Sequence, residues 1–133
     1  MSSLLTNEDA ALSSMGFETY VIRVLQHYLR AQKKRLTTED SSCLFDAILP
    51  DGMDDIKGPL YLEVKSGYAS KTGYFRSVQQ FALHARGSEP GAVLLVLGIA
   101  FTEESRRSME QMAQSRAGRR VCVWDIDDFS RRT

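Results

Sequence analysis

Two acidic residues and one lysine lie in two short, mainly apolar segments of the chain. Asp46 lies in segment 43–49, and Glu63 and Lys65 lie in segment 60–65. Carboxylate oxygens are ligands that Mg²⁺ prefers, commonly together with water and substrate phosphate. A cation held in this way activates a water molecule and stabilises charge on a phosphate. The chemistry that these residues indicate is metal-dependent hydrolysis of a phosphodiester.

Both segments are predicted strands, since β-branched and aromatic residues are mixed with apolar ones and turn residues flank each segment. Side chains along a strand point alternately to opposite faces, so Glu63 and Lys65 share a face, about 7 Å apart. If the strands form a hairpin centred on residues 54–55, Asp46 lies opposite Glu63 and points to the same side. The three ionisable groups are then expected to converge.

This convergence requires partners for the charges, because an unpaired charge among apolar side chains is costly. A bound metal ion would neutralise the two acids. The structural alternative is an ion pair of Lys65 with Glu63 or with Asp46 on a half-exposed sheet face. An E-x-K pattern on a strand does not by itself separate these two interpretations.

A helix predicted over 17–31 offers a third carboxylate. One face of this helix carries residues that recur at steps of four, three and four: Glu18, Ile22, Leu25 and Leu29. Glu18 could instead complement the helix dipole in the first turn. A capping box, however, would need Ser or Thr at position 15, where the chain has Met15. We therefore expect Glu18 to face the sheet and join the same site.

A helical acid, an acid on a strand and an E-x-K motif on the next strand follow one another along the chain: Glu18, Asp46, Glu63 and Lys65. This order resembles the PD-(D/E)XK nuclease superfamily, which has the restriction-endonuclease-like fold. The resemblance covers positions 16–129 and is closest in style to the Mrr-like restriction enzymes and the small archaeal-type Holliday junction resolvases. Because each motif is short, the order and context of the motifs carry the resemblance.

The resemblance implies a Mg²⁺-dependent endonuclease acting on DNA, with Mn²⁺ as a substitute. Asp46, Glu63 and the backbone carbonyl of Val64 would bind the metal. Lys65 would orient the attacking water or help to deprotonate it. Glu18 would bind a second metal, or hold the first one through water, so the number of metals stays open.

The chain departs from the family pattern before the acidic strand. Phe45 stands where many members have proline, and segment 37–42 lacks the glycines that are common in Mrr-like relatives. The missing glycines put a close approach of the backbone to DNA in doubt at this segment.

Three further residues are expected to contact nucleic acid. Lys71 and Arg76 follow the turn after the E-x-K motif and would reach phosphates, and Gln79 resembles the auxiliary glutamine of some families. The formal net charge is zero, with 17 basic and 17 acidic residues, whereas dedicated DNA-binding proteins are usually more basic. Acids that bind metal lower this total, so the distribution of charge matters more than its sum.

The 133 residues are expected to form one α/β domain with a mixed central sheet flanked by helices, and residues 1–14 are expected to be flexible or to form a short extra helix. The predicted order is the α-β-β-β-α-β core of the nuclease fold plus an appended helix and strand. The helices are predicted over 17–31, 72–86 and 103–115, with a further helical turn over 125–131, and the strands over 34–37, 43–49, 60–65, 93–97 and 121–124.

Other features narrow the function class. The apolar run 92–101 is far shorter than the ~20 residues of a transmembrane helix, so we expect a soluble, cytoplasmic protein with no membrane partner. Cys43 and Cys122 are too far apart for a zinc knuckle and are expected to be buried thiols.

Two alternatives to an active nuclease stay open. One is a catalytically silent nucleic-acid-binding or assembly module on the same fold. The other is an unrelated α/β interaction domain, in which the three acids would be dispersed over the surface. An active nuclease would work either as a homodimer or as a module attached to a recognition or effector domain of a larger protein.

Overall fold

The computed structural model describes residues 13–38, 45–86 and 91–133, with side chains from Gly16 onward in the first segment. These residues form α1 (Ser13–Ala31), β1 (Ala47–Leu49), β2 (Leu60–Lys65), α2 (Lys71–Ala85), β3 (Ala92–Leu97), α3 (Glu103–Ala117), β4 (Val121–Trp124) and α4 (Ile126–Arg132). The predicted α/β class is confirmed. Cys43, the first residues of the predicted strand 43–49 and most of the segment expected to be flexible lie outside the described residues, whereas Ser13 and Ser14 already belong to α1.

Side-chain caps mark the starts of α2 and α3, and a glycine in the left-handed conformation marks the end of α3. Ser70 caps α2 because its hydroxyl accepts a hydrogen bond from the Gly73 amide, at 3.1 Å. Thr102 caps α3 in the same way by accepting from Ser105, also at 3.1 Å. Gly118, with φ 66°, ends α3 in the left-handed conformation that glycine adopts without strain. These caps place both helices within two residues of their predicted bounds.

The four strands form one mixed sheet in the order β1-β2-β3-β4. β1 and β2 form an antiparallel hairpin in which Ala47 pairs with Leu62 and Leu49 pairs with Leu60. β3 and β4 are added in parallel, so α2 and α3 are crossover helices. The predicted centre of the hairpin is confirmed for these paired residues. Asp46 lies just outside the ladder, and its amide donates to the carbonyl of Leu62, the partner of Ala47, so Asp46 is not paired opposite Glu63 as predicted.

The strand predicted over 34–37 is reduced to a single β-bridge between Thr37 and Ile48. Each of these residues donates its amide to the carbonyl of the other, at 2.9 Å. The segment before the bridge has another partner, because the Arg35 amide donates to the carboxylate of Asp51 at 3.0 Å. The Arg35 guanidinium forms an ion pair with the same carboxylate at 2.9 Å. Because the Arg35 amide is bonded to Asp51, it is not available for a longer ladder with β1.

The sheet is covered on both faces, as the apolar sequence of β3 predicts. One layer contains α2 and α3, whose buried residues pack on one face of the sheet. The core on this face includes Tyr61, Tyr74, Val78, Phe81, Leu95, Met109 and Val123. The other layer contains α1 and α4 and includes Val21, Leu25, Leu29, Leu62, Val64, Val96 and Phe129. Within the described part of the chain, no helix is both long and apolar enough to cross a membrane.

The C-terminal end of α1 is attached to the turn of the β1–β2 hairpin. The Tyr28 hydroxyl and the Gln32 amide both donate to the Asp54 carboxylate, at 2.7 and 3.2 Å. The Lys34 ammonium donates to the Asp54 carbonyl at 3.1 Å. We call these four residues the clasp. The clasp fixes α1 relative to the hairpin, and thereby fixes the helix that carries Glu18 relative to the strand that carries Asp46.

Asp125 joins the end of β4 to the segment that follows β3. Its side chain accepts the amide of Phe101 at 2.9 Å and the amide of Asp128 at 2.8 Å, and the Asp128 carboxylate accepts the Asp125 amide in return. Only 4% of Asp125 is exposed. Burial alone would raise the pKa of this carboxyl, but the hydrogen bonds from Phe101 and Asp128 outweigh burial and lower it.

Asp125→Ala is expected to lower the free energy of unfolding by about 2–4 kcal/mol, because a helix cap and a buried amide both lose their acceptor. Urea denaturation measures this change. The matched control is Asp127→Ala, since Asp127 is an exposed acid in the first turn of the same helix and its loss is expected to change stability by no more than ~0.5 kcal/mol. Equal effects of the two substitutions would contradict the assigned role of Asp125.

Candidate active site

Asp46 lies where β1 leaves the sheet, and its side chain continues the hydrogen bonding of the strand. Its amide donates to the Leu62 carbonyl at 2.9 Å. Its carboxylate Oδ2 accepts the amide of Val64 at 2.7 Å. The N–H and C=O of a strand residue face the same neighbour, so the Val64 carbonyl lies on the same side of β2 as Asp46. One carboxylate and one backbone carbonyl are thus placed side by side.

Glu63 and Lys65 lie on the face of β2 that is covered by α2. The Lys65 Nζ is 3.1 Å from Glu63 Oε2, and the two side chains are 18% and 12% exposed. The same ammonium lies 5.2 Å from the centroid of the Phe81 ring, within the range of a cation–π contact. The ion pair expected under the structural interpretation is therefore present between these two residues.

This ion pair does not neutralise the site. Burial raises the pKa of Glu63 to about 7, and the charge of Asp46 acts in the same direction, while the charge of Lys65 and its hydrogen bond lower the pKa. The net rise means that one ammonium does not compensate for desolvation and for the second acid. Near neutral pH, Glu63 therefore takes up and releases a proton readily.

Glu18 reaches the same cluster from the opposite layer. It is half-buried in the N-terminal half of α1. Its pKa is raised by burial, then by the charge of Asp46 and by a side-chain hydrogen bond with Asp46. Asp46 thus lies between Glu18 and Glu63. The structure brings together all four residues of the predicted set from a helix and two strands.

The acids interact in pairs, since Asp46 raises the pKa of Glu18 and also contributes to the raised pKa of Glu63. Among the residues that the structure describes, no group of three or more His, Cys, Asp or Glu side chains is arranged so that it could hold a metal ion. The donors that are present are all oxygen, from three carboxylates and the Val64 carbonyl, and their negative charge exceeds the charge of Lys65. Hard divalent cations select this donor type, so the chemistry of these residues fits Mg²⁺.

The three residues predicted to contact nucleic acid lie on or beside the outer side of α2. Lys71 is exposed, and its ammonium lies 5.8 Å from the centroid of the Phe101 ring. Arg76 is exposed and Gln79 is half-buried. Within the described ranges, none of the three forms a hydrogen bond or an ion pair with the acids. They stay predicted contacts for a bound ligand.

No family model matches this chain, and neither the curated proteins nor the solved structures include a significant match. The case for a nuclease therefore depends on the residues and their geometry.

Two parts of the site were not predicted from the sequence. The Val64 amide is a backbone donor to Asp46, and no residue type signals such a bond. Phe81 lies below the Lys65 ammonium, and the sequence analysis placed it only within the predicted helix 72–86. Its position about three turns into α2 contains no separate signal for this contact.

Glu63→Gln tests the electrostatics of the site in protein stripped of divalent cations. The pKa of Glu63 is raised from 4.5 to about 7 on folding, so its contribution to stability is fully present below pH 4.5 and is lost as the pH rises through 7. The glutamine variant does not lose this contribution. We expect it to be more stable than wild type at pH 8, by up to about 3 kcal/mol, and close to wild type at pH 4.5.

Urea denaturation at several pH values between 4.5 and 8 measures the difference. Glu104→Gln is the control, because it makes the same chemical change at an exposed position of α3 and is expected to show little pH-dependent difference from wild type. If Glu63→Gln and Glu104→Gln gave parallel stability profiles, the raised pKa of Glu63 would be refuted.

Proposed function

We propose that this protein is a Mg²⁺-dependent endonuclease that hydrolyses phosphodiester bonds in DNA. The observation that carries the proposal is the meeting of an α1 acid, the acid at the end of β1 and the E-x-K pair of β2 at one place. Four ionisable side chains that are dispersed in the sequence would not be expected to converge in an unrelated α/β interaction domain. These side chains are Glu18, Asp46, Glu63 and Lys65. Asp46 interacts with both Glu18 and Glu63, and Lys65 forms an ion pair with Glu63.

The topology supports assignment of the chain to the restriction-endonuclease-like fold of the PD-(D/E)XK superfamily. α1, β1, β2, α2 and β3 occur in the order that the α-β-β-β-α-β core has, with the single Thr37 bridge in place of its first strand. β1 runs antiparallel to β2, and β3 is added in parallel after the crossover. In this assignment α3, β4 and α4 are the appended elements.

Asp46, Glu63 and the backbone carbonyl of Val64 would hold the metal, with Mn²⁺ as a substitute for Mg²⁺. Glu18 would hold a second ion or contact the first through water. When bound, such an ion stabilises the charge of the phosphate and lowers the pKa of a coordinated water. The carboxylates supply the negative charge that retains the ion, and Asp46 is oriented for this role by its hydrogen bond from the Val64 amide.

Lys65 would act on the water and the phosphate. Its ammonium is held 3.1 Å from Glu63 and above the Phe81 ring, so the position of its charge is fixed before a substrate binds. A fixed positive charge of this kind orients the attacking water and offsets the negative charge that develops on the phosphate. Glu63, with a pKa of about 7, would accept or return a proton at neutral pH when it is not holding a metal.

One such site cuts one strand at a time. Cleavage of both strands of a duplex would require either two copies of the chain or one copy with an attached domain, and twofold dimers are the commonest assemblies. An attached recognition or effector domain would serve the same purpose if it presented the second strand to the site.

Asp46→Asn and Glu63→Gln are each expected to lower the rate of DNA cleavage by at least about 100-fold, because each removes a charged metal ligand. The assay measures nicking of supercoiled plasmid, with Mg²⁺, with Mn²⁺ and with excess EDTA. Asp127→Asn is the control, since it changes an exposed acid on α4. Full wild-type cleavage in EDTA would reject the metal-dependent mechanism, and DNA binding without cleavage under every condition would favour the silent module.

Lys65→Ala is expected to lower turnover by about 100-fold through loss of the fixed charge, without raising the Mg²⁺ concentration needed for half-maximal rate. Lys65→Arg is expected to restore little activity, because the planar guanidinium cannot reproduce the geometry of a point charge. Single-turnover rates over a series of Mg²⁺ concentrations separate the two effects. Lys57→Ala is the control at an exposed lysine of the hairpin turn, and turnover of Lys65→Ala equal to it would reduce Lys65 to a structural ion-pair partner.

A further inference from the structure

A basic cleft lies at the C-terminal end of α1, at the other end of this helix from Glu18. The cleft has a volume of about 280 Å³ and is lined by Gln26, Arg30, Lys33, Lys34 and Leu36. Three of these five residues are cationic and none is acidic. The chain as a whole has no net charge, so this concentration of positive charge is a local feature.

The backbone at the cleft adopts a conformation that lysine rarely takes. The Lys34 amide donates to the Leu29 carbonyl and the Lys33 amide donates to the Arg30 carbonyl, both at 3.0 Å. These two bonds form a Schellman motif, in which the residue at the Lys33 position is usually glycine. Lys33 has φ 58°, in the left-handed region that disfavours a side chain with a Cβ atom.

Stability alone gives a weak reason for a lysine at this position. A cation near a helix C-terminus interacts favourably with the helix dipole, but Arg30 and Lys34 already supply such charges. Lys34 is engaged in the clasp through the Asp54 carbonyl. A residue held in an unfavourable conformation points to a functional role for its side chain.

Arg30 and Lys33 are the residues of the cleft whose charge is available to a ligand. Both are exposed, and within the described residues neither forms an ion pair with a carboxylate. The charge of Lys34 is partly offset, because the Asp51 carboxylate is close enough to interact with it. Gln26 and Arg30 are four residues apart and so lie along one flank of the helix, and Lys33 lines the same cleft just after the helix ends.

We propose that this cleft binds the phosphate backbone of a nucleic acid, with Arg30 and Lys33 as the contacting residues. The chemistry fits, because guanidinium and ammonium groups that do not pair with protein carboxylates bind phosphate and release counterions. Arg30 lies 12 positions after Glu18 in the same helix, about 18 Å at 1.5 Å per residue. This inference rests on the proposed function to the extent that the cleft would then contact DNA outside the catalytic site, at the other end of the helix that carries Glu18.

The test measures binding of a fluorescently labelled 20-base-pair duplex by anisotropy, in EDTA so that no cleavage occurs, over a series of salt concentrations. Lys33→Gly and Arg30→Gln are each expected to weaken binding roughly fivefold at 0.1 M salt and to reduce the slope of log K against log salt by about 0.9. Arg107→Gln is the control, since Arg107 is an exposed arginine of α3 that pairs with Glu103, and it is expected to leave both quantities unchanged.

Thermal unfolding of the same variants separates the roles of Lys33. Lys33→Gly is expected to unfold at the same temperature as wild type or at a higher one, because glycine relieves the left-handed conformation. A lower unfolding temperature together with unchanged DNA binding would overturn the proposal and assign Lys33 to the helix dipole.

Failure of the proposal for the cleft can also be distinguished from failure of the proposed function. Wild-type protein that binds the duplex through Arg30 and Lys33, but does not cleave it when Mg²⁺ is added, would support the cleft and reject the nuclease. If Lys33→Gly and Arg30→Gln bind the duplex with unchanged affinity and cleave it at the wild-type rate, the proposal for the cleft is rejected and the proposal of a nuclease stands.

Discussion

The hydrogen bond from the Val64 amide to the Asp46 carboxylate, 2.7 Å long, joins the sheet to the acidic site. β1 contains only three residues, Ala47–Leu49, and a ladder this short gives little stability of its own. The side chain of Asp46 extends the ladder by one acceptor and keeps the end of β1 against β2. The same contact orients the carboxylate that Glu18 approaches from one layer and Glu63 from the other. Sheet pairing and site geometry thus depend on one interaction, and a change that removes the side chain affects both.

The sequence predicts the elements with strong periodicity or composition well. The spacing of Ile22, Leu25 and Leu29 and the apolar run of β3 contain enough information, because burial of these residues requires a particular element and a particular face. The hairpin register was also predictable, since it follows from the centre of the turn between Asp54 and Asp55. Segment 34–37 was predicted as a strand and forms only a bridge, because the Arg35 amide bonds to Asp51. A side-chain acceptor that replaces a ladder partner leaves no periodic signal in the sequence.

The candidate site was likewise predictable only in part. The order of Glu18, Asp46 and the E-x-K pair indicated which residues would meet, because each residue type and its element could be read from local sequence. The balance between these charges could not be predicted, since it depends on burial and on distances of a few ångströms. The pKa of Glu63, at about 7, reflects desolvation and the proximity of Asp46 more than it reflects the adjacent lysine. Such quantities arise only when the layers are packed.

Because the clasp holds α1 near its C-terminal end, a small tilt of the helix moves its other end through a larger distance. The clasp fixes the helix near Tyr28, while Glu18 lies ten positions earlier, about 15 Å along the axis. A tilt of roughly 4° about the clasp would displace the Glu18 end of such an arm by about 1 Å, and a misplacement of that size at a reacting group can lower a rate by about 100-fold. A small rotation of α1 about the hairpin turn therefore displaces Glu18 relative to the other acids. The apolar contacts of Val21 and Leu25 with the sheet layer limit this rotation along the length of the arm.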